Sequence, residues 1–362
     1  MLDGVLQHLA ALVEFDTRNP PRAIGTGGIF AYLTRQLVGF DVAITDHGSG
    51  SVSLYAVRGT PKYLFNVHLD TVPDAPGWSA NPFALRVEGA RAVGLGACDV
   101  KGAAAALLAA VQAHPGDIAL LFTSDEEGSS PQCVREFLAT PRAFDGVIVA
   151  EPTRAEAVLA HRGIQSVRVR FQGTAGHASR AQGPADSALH QAVRWSAAAL
   201  DFANAKADEE FGGLRGMRFN LGRLEGGIKP NMIAPSAELR FGMRPLPSMD
   251  PDGLLTELRA LTQPEPAEFA ETFRGPPLPA CTPGDAPARL AAATALAGRL
   301  ALPVGVAVDF WTEAALFSQT GLPTLVFGPG DIAQAHSVDE WVALDQLARV
   351  AGAYARVLER GQ

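Results

Sequence analysis

The chain has 362 residues, with 30 Lys and Arg against 38 Asp and Glu and a formal net charge of −8. That acidic balance argues against a nucleic-acid binder or a protein adhering to an anionic membrane, both of which call for a basic surface. A hydrophobic share of 47% with 19% charged residues excludes disorder, and the length is enough to bury a large core.

In chain order, Leu6, Leu9, Leu12 and Val13 recur at helical spacing and stop at Asp16-Thr17-Arg18-Asn19-Pro20-Pro21, a loop. Residues 53–57 and 63–67 read as strands joined by the Gly59-Thr60-Pro61 turn, and the second runs into His68-Leu69-Asp70. Residues 102–113 form a helix of small side chains suited to close packing on a sheet. A strand at 118–123 ends at Ser124-Asp125-Glu126-Glu127-Gly128, and another at 147–150 ends at Glu151-Pro152. This alternation predicts an α/β fold, a mixed sheet with helices on both faces. The polar residues fall just after strand ends, where open α/β sheets place their ligands.

The pattern changes near Gly163. Strands at 167–171, 217–221 and 237–243 and a helix at 184–203 carry an α+β signature, and the proline-rich stretch 264–283 suits a boundary. A helix at 286–301 and a strand at 324–327 then resume the first pattern. The expected organisation is a catalytic domain of residues 1–162 and 276–362, interrupted by an inserted α+β domain of residues 163–275. Cys98, Cys133 and Cys281 are too few and scattered for a disulfide framework, and the opening Met-Leu-Asp-Gly has no basic region followed by an apolar stretch, so a signal peptide is not expected. The longest apolar segment, 102–113, is far shorter than the roughly 20 residues a membrane helix needs. The expectation is a cytoplasmic protein with no nucleic-acid and no membrane partner.

His68, Asp70, Asp99, Glu126, Glu127, Glu151 and His336 are the residues that can carry chemistry, since imidazole and carboxylate ligands suit zinc, cobalt or manganese. Singly each has a bland reading: His68 as a hydrogen-bonded strand-end residue, Asp99 as a helix N-cap, Glu126-Glu127 as a solvated turn. Together, successive strand ends deliver them to one edge, where adjacent acids repel unless a cation is near. Three charges on Asp99, Glu127 and Glu151 are balanced by two dications and a bridging hydroxide, whereas one dication leaves the cluster net negative. Gly94-Leu-Gly96-Ala-Cys98-Asp99 is similar to a dinucleotide-binding glycine loop, but Asp99 stands where the third glycine belongs and would face the pyrophosphate.

His68-Leu-Asp70-Thr-Val-Pro73, Gly94-Leu-Gly96-Ala-Cys-Asp99-Val-Lys-Gly102, Asp125-Glu126-Glu127-Gly128, Ala150-Glu151-Pro152-Thr153 and the run from Gly328-Pro-Gly330 to His336 resemble, in order, the metallopeptidase family of acetylornithine deacetylase, succinyl-diaminopimelate desuccinylase, aminoacylase and carboxypeptidase G. The resemblance spans residues 68 to 336 and implies a zinc-peptidase-like catalytic domain with an inserted lid or dimerisation domain. It implies two divalent ions, zinc or cobalt: one held by His68, Asp99 and Glu151, the other by Asp99, Glu127 and His336. Asp70 would orient His68, and Glu126 would act as general base on a metal-bridging water.

Gly173-Thr-Ala-Gly176-His177-Ala-Ser179 is similar to the family's lid motif, whose histidine stabilises the oxyanion, often in a partner subunit; otherwise His177 caps local backbone. Asn231 and Arg244 match substrate-binding positions, with Arg244 forking onto an α-carboxylate, although Gly242 replaces the family's usual Asp and a surface role for Arg244 stays open. Ala160-His161-Arg162-Gly163, Thr312-Glu313-Ala314 and the 328–336 run look most like the acetylornithine deacetylase branch. The implied substrate is an acylated amino acid, N-acetylcitrulline or N-acetylornithine, in arginine biosynthesis, with desuccinylase and dipeptidase activities as alternatives and a non-catalytic small-molecule binder as the reading from another class. An acidic pocket residue would favour ornithine's cation over citrulline's neutral ureido group; Glu313 is either such a residue or a helix N-terminal acid. A homodimer through the inserted domain is a further expectation.

Overall fold

A computed structural model of the chain describes residues 1–21, 23–128, 131–183 and 185–360. In chain order the principal elements are α1 (Leu2–Val13), α2 (Gly28–Gln36), β1 (Asp41–Asp46), β2 (Val52–Arg58), β3 (Tyr63–His68), α3 (Gly102–Ala113), β4 (Ile118–Thr123), α4 (Gln132–Leu138), β5 (Gly146–Val149), β6 (Ile164–Gln172), α5 (Ala188–Asn204), β7 (Arg218–Gly226), β8 (Ser236–Arg244), α6 (Pro251–Arg259), β9 (Glu268–Gly275), α7 (Ala286–Leu300), α8 (Ala314–Gln319), β10 (Thr324–Val326) and α9 (Leu344–Arg360). They fall into two compact units, one of Met1–Leu159, Ala288–Val306 and Thr312–Gln362, the other of Ala160–Pro287 and Ala307–Trp311.

The first unit is built on a six-stranded mixed sheet in the order β1-β2-β4-β3-β5-β10. β4, β3, β5 and β10 run parallel, with His68 opposite Thr123 and Val326 opposite Val149, so their C-terminal ends share one edge. β2 and β1 close the other side antiparallel. The parallel strands are buried along their whole length, as strands covered on both faces must be. Side chains alternate between the two faces: Phe65, Val67, Leu120, Phe122 and Ile148 join the core formed with α1, α3, α7 and α9, while Asn66 points to the side of Glu313, just before α8.

α3 is buried on nearly every face, which explains its run of alanines: against the sheet, α1 and α9 there is room for little beyond a methyl group. β1 and α2 are absent from the sequence reading. Asp41–Asp46 is an edge strand with no fully buried residue, and Gly28–Gln36 is a short helix with three buried residues, so neither has a strong apolar pattern.

The second unit carries an antiparallel sheet, β7-β8-β6-β9, packed on α5. Val167, Val169 and Phe171 alternate inward against Trp195, Phe241 and Phe269. Its limits differ from the expected 163–275. The stretch read as a boundary contains the edge strand β9, and beyond it the backbones of His161 and Leu278 exchange two hydrogen bonds of 3.0 Å, tying entrance to exit. The unit therefore runs from 160 to 287 and takes in 307–311, where Asp309 pairs with Arg162. Of the helix expected at 184–203, Pro184 lies outside the described residues, and α5 starts at Ala188 with Ser187 as its capping residue.

Candidate metal centre and its surroundings

His68 ends β3, and its ring is oriented from behind. Nδ1 donates to the Asp70 carbonyl at 3.0 Å, with the Asp70 carboxylate 3.5 Å away. That bond orients the ring so that Nε2 faces forward, 3.1 Å from Asp99 Oδ1 and 3.9 Å from Glu151 Oε1. The Asp70 carboxylate also accepts from the Glu126 and Glu127 amides at 3.3 and 3.0 Å and from Asn19 Nδ2 at 2.9 Å. His336, at the end of the loop after β10, directs Nε2 to Glu127 Oε1 at 2.9 Å and Asp99 Oδ2 at 3.3 Å.

Asp99 thus turns one oxygen to each imidazole. Burial opposes its ionisation, but the hydrogen bonds from His336 and His68 prevail and hold its carboxyl below the ordinary range. Asp99 is no N-cap: α3 begins at Gly102, Lys101 holds the cap position without a side-chain bond, and Asp99 has non-helical backbone angles. Two sets of ligand atoms lie within 4.8 Å of one another, His68 with Asp99 and Glu151, and Asp99 with Glu127 and His336. The first set is buried and the second opens outward, His336 being half exposed.

Glu126 stands beside both sets. Burial, then the charges of Glu151 and Glu127, push its carboxyl well above the usual carboxylate range despite the relief from His68. Glu127 and Glu151 are also raised, chiefly by burial. Carboxyl groups crowded at one buried edge, with imidazole nitrogens among them, fit a divalent cation in each set, whose charge would favour their ionised forms.

Two features here escaped the sequence reading. Glu340 is buried, and its carboxylate accepts from the amides of Gly96, Cys98 and Asp99 at 2.8–2.9 Å, so the glycine loop folds around an anion of the chain itself. Those amides are the ones a pyrophosphate would need, which disposes of the nucleotide-loop reading. The loop also needs glycine at 96, where φ is +75° and a Cβ would lie 2.6 Å from Thr71 Cγ2. Asn19 is the second, holding Asp70 from a segment read only as a helix stop. Glu340 four residues after His336, and Asn19 three residues after Asp16, were visible as polar residues; their partners, far away in sequence, were not.

In the second unit, His177 is exposed on a short strand paired with residues 232–233, and its Nδ1 lies 2.7 Å from Ser179 Oγ and accepts from the Ser179 amide at 3.3 Å. Asn231 is exposed and its carbonyl accepts from the Ala178 amide at 3.0 Å. Arg244, half-buried at the end of β8, reaches the Asp309 carbonyl at 3.5 Å, and Gly242 sits in register with Ser166 and Asn220. Glu313 holds the N-cap position of α8. It is 1% exposed and makes no capping bond.

The model of peptidase family M20/M25/M40 matches residues 64–360, and the chain belongs to that family of hydrolases. It is 61% identical over 359 residues to N-acetyl-L-citrulline deacetylase of Xanthomonas campestris pv. campestris, covering 99% of this chain and 98% of the relative. It is 33% identical over 316 residues to acetylornithine deacetylase of Klebsiella pneumoniae, covering 83% and 78%. Among solved structures, the aminopeptidase PepT of Bacillus cereus matches with a TM-score of 0.75 at 18% identity, over 99% of this chain and 98% of that one, a likeness of fold. Among the described residues no helix is long and apolar enough to cross a membrane.

Proposed function

We propose that the chain is a metal-dependent deacetylase that hydrolyses the amide bond of an N-acetyl amino acid, N-acetyl-L-citrulline ahead of N-acetylornithine, in arginine biosynthesis. The observation that carries this reading is the pair of ligand sets sharing Asp99, with Glu126 alongside. The citrulline preference is supported by the 61% identity to a deacetylase of that substrate against 33% for the ornithine relative.

His68, Asp99 and Glu151 would hold one zinc or cobalt ion, and Asp99, Glu127 and His336 the other; bound there, such ions supply Lewis-acid polarisation and bring the pKa of a water towards neutrality. Glu126 takes a proton from the attacking water as its oxygen bonds to the acetyl carbon. As the carbon–nitrogen bond breaks, Glu126 returns that proton to the departing amine, giving acetate and the free amino acid. Asp70 keeps His68 in one tautomer and, through two amides, holds the Glu126-Glu127 turn in place.

His177 is assigned to the oxyanion, and Arg244 with Asn231 to the substrate carboxylate, a bidentate task suited to guanidinium. A homodimer through the inserted unit completes the reading, supported by the long, exposed edge strand β7; light scattering of the purified protein tests it.

The deciding experiment is turnover of acetylcitrulline, acetylornithine, acetylmethionine and succinyl-diaminopimelate with added zinc or cobalt. Acetylcitrulline should be hydrolysed fastest, and Glu126→Gln should lower kcat by about 10²–10⁴ while metal content stays at the wild-type level. Absence of turnover across the panel, or an active Glu126→Gln, overturns the assignment.

A further inference from the structure

Beneath the strand ends, on the α8 side of the sheet, lies a polar group that the reaction does not use. Asn66 on β3, Thr123 on β4 and Glu313 ahead of α8 are all buried, none more than 1% exposed. Asn66 Nδ2 donates to Glu313 Oε2 at 2.7 Å, and the Thr123 hydroxyl donates to the same oxygen at 3.2 Å. Asn66 Oδ1 and Glu313 Oε1, the remaining oxygens of the two groups joined by that short bond, have no donor among the described residues. A buried acceptor left unpaired costs about 1–3 kcal/mol, and here two belong to one amide–carboxyl pair. A single proton on Oε1, turned to Asn66 Oδ1, would satisfy both at once and close an eight-membered ring with the bond already made.

We propose that Glu313 is held as a neutral carboxylic acid in a two-hydrogen-bond ring with Asn66, and that in this form it is a positioning residue for the end of β3, which carries His68 and Asp70. The charged and titratable groups around it act in both directions. Asp125 after β4 and Asp70 after β3 disfavour a further negative charge, His68 favours one, and Glu126, Glu151 and Cys133 feel Glu313 in turn. Burial first, then Asp125, pushes Glu313 up to about 8, against the hydrogen bond from Asn66 and the charge of His68. Burial by itself is known to keep a carboxylic acid protonated at neutral pH so that it can donate a hydrogen bond. The assignment also removes Glu313 as the acid that would select a cationic ornithine side chain; this consequence alone rests on the deacetylase reading.

Glu313→Gln tests the ring directly, since a side-chain amide donates and accepts at the same two positions as the protonated acid. In the metal-loaded protein at pH 7, the infrared difference between wild type and Glu313→Gln should contain the carbonyl band of a protonated carboxylic acid. Glu313→Gln should keep kcat/KM within about threefold of wild type and leave the acetylcitrulline-to-acetylornithine ratio unchanged, whereas Glu313→Met, similar in size but unable to form the ring, should lose about 10–100-fold in zinc affinity and kcat/KM, as loss of groups behind a ligand generally does. Absence of the band, or a Glu313→Gln as impaired as Glu313→Met, overturns the proposal. Should no acylated amino acid be turned over, the infrared band and the zinc affinities still decide the ring, so its failure is separable from failure of the deacetylase reading.

Discussion

The Asp70 carboxylate meets four partners: the His68 ring, the amides of Glu126 and Glu127, and the side chain of Asn19. A fully buried carboxylate needs this many contacts, because each lone pair left without a donor in the interior is costly. Asn19 is the partner most open to test, since it is 3% exposed and belongs to neither ligand set. Asn19→Leu removes one charge-assisted hydrogen bond, worth about 1.5–3 kcal/mol. It frees Asp70 to rotate away from His68 and the Glu126 turn, so kcat/KM should fall about 10–100-fold with a smaller change in KM. Turnover and urea unfolding measured on one preparation check this; unchanged kcat would show that Asp70 is held well enough without Asn19.

At the scale of elements, the site depends on loops whose own hydrogen bonds are satisfied from elsewhere in the chain. The turn at Ala97–Lys101 has non-helical backbone angles at Asp99 and Val100, and the Glu340 carboxylate takes two of its amides, those of Cys98 and Asp99, together with that of Gly96 just before it. The loop from Gly328 lies against Glu151 so closely that a Cβ at 328 would stand 2.5 Å from the Glu151 carbonyl oxygen. Glu340→Gln keeps one acceptor oxygen but turns an amide group towards N–H donors, so stability should fall by about 2–3 kcal/mol. Metal affinity should fall with it, read by thermal melting with and without added zinc. This level also shows what was legible in advance. Strand ends followed by His68, Glu126 and Glu151 were readable because β3, β4 and β5 are apolar runs with sharp ends. Asp99 was readable from its glycine loop, though a helix cap remained a live alternative until the backbone showed α3 starting at Gly102. Glu340 and Asn66 were not, because their roles exist only through partners more than two hundred positions away. The second unit extends past the expected 163–275 for a related reason: proline density suggests a boundary where the pairing of His161 with Leu278 carries the unit further.

For the molecule as a whole, the carboxylates of Asp70, Asp99, Glu126, Glu127 and Glu151 all belong to the first of the two units, at one edge of one sheet. Gathering them there opposes folding by mutual repulsion and lost hydration, with two imidazoles as the only nearby partners of opposite sign among the residues of the ligand sets. Cations bound only by the folded state offset that opposition, and at one hundred times the dissociation constant each contributes about 2.7 kcal/mol. In a unit of this size each kcal/mol moves the melting temperature by about 2–4 °C. Chelation should therefore lower the melting transition by roughly 5–10 °C for each ion removed, and returning zinc or cobalt should restore it. Asp99→Asn, which takes a charge from both sets, should lose most of that response. Calorimetry with and without chelator on wild type, Asp99→Asn and Arg244→Ala separates the causes, because Arg244 lies in the second unit and its removal should leave the metal-dependent shift intact. A wild-type transition indifferent to chelator would mean that the ligand sets hold no cation in solution, and the proposed hydrolysis would lose its physical basis.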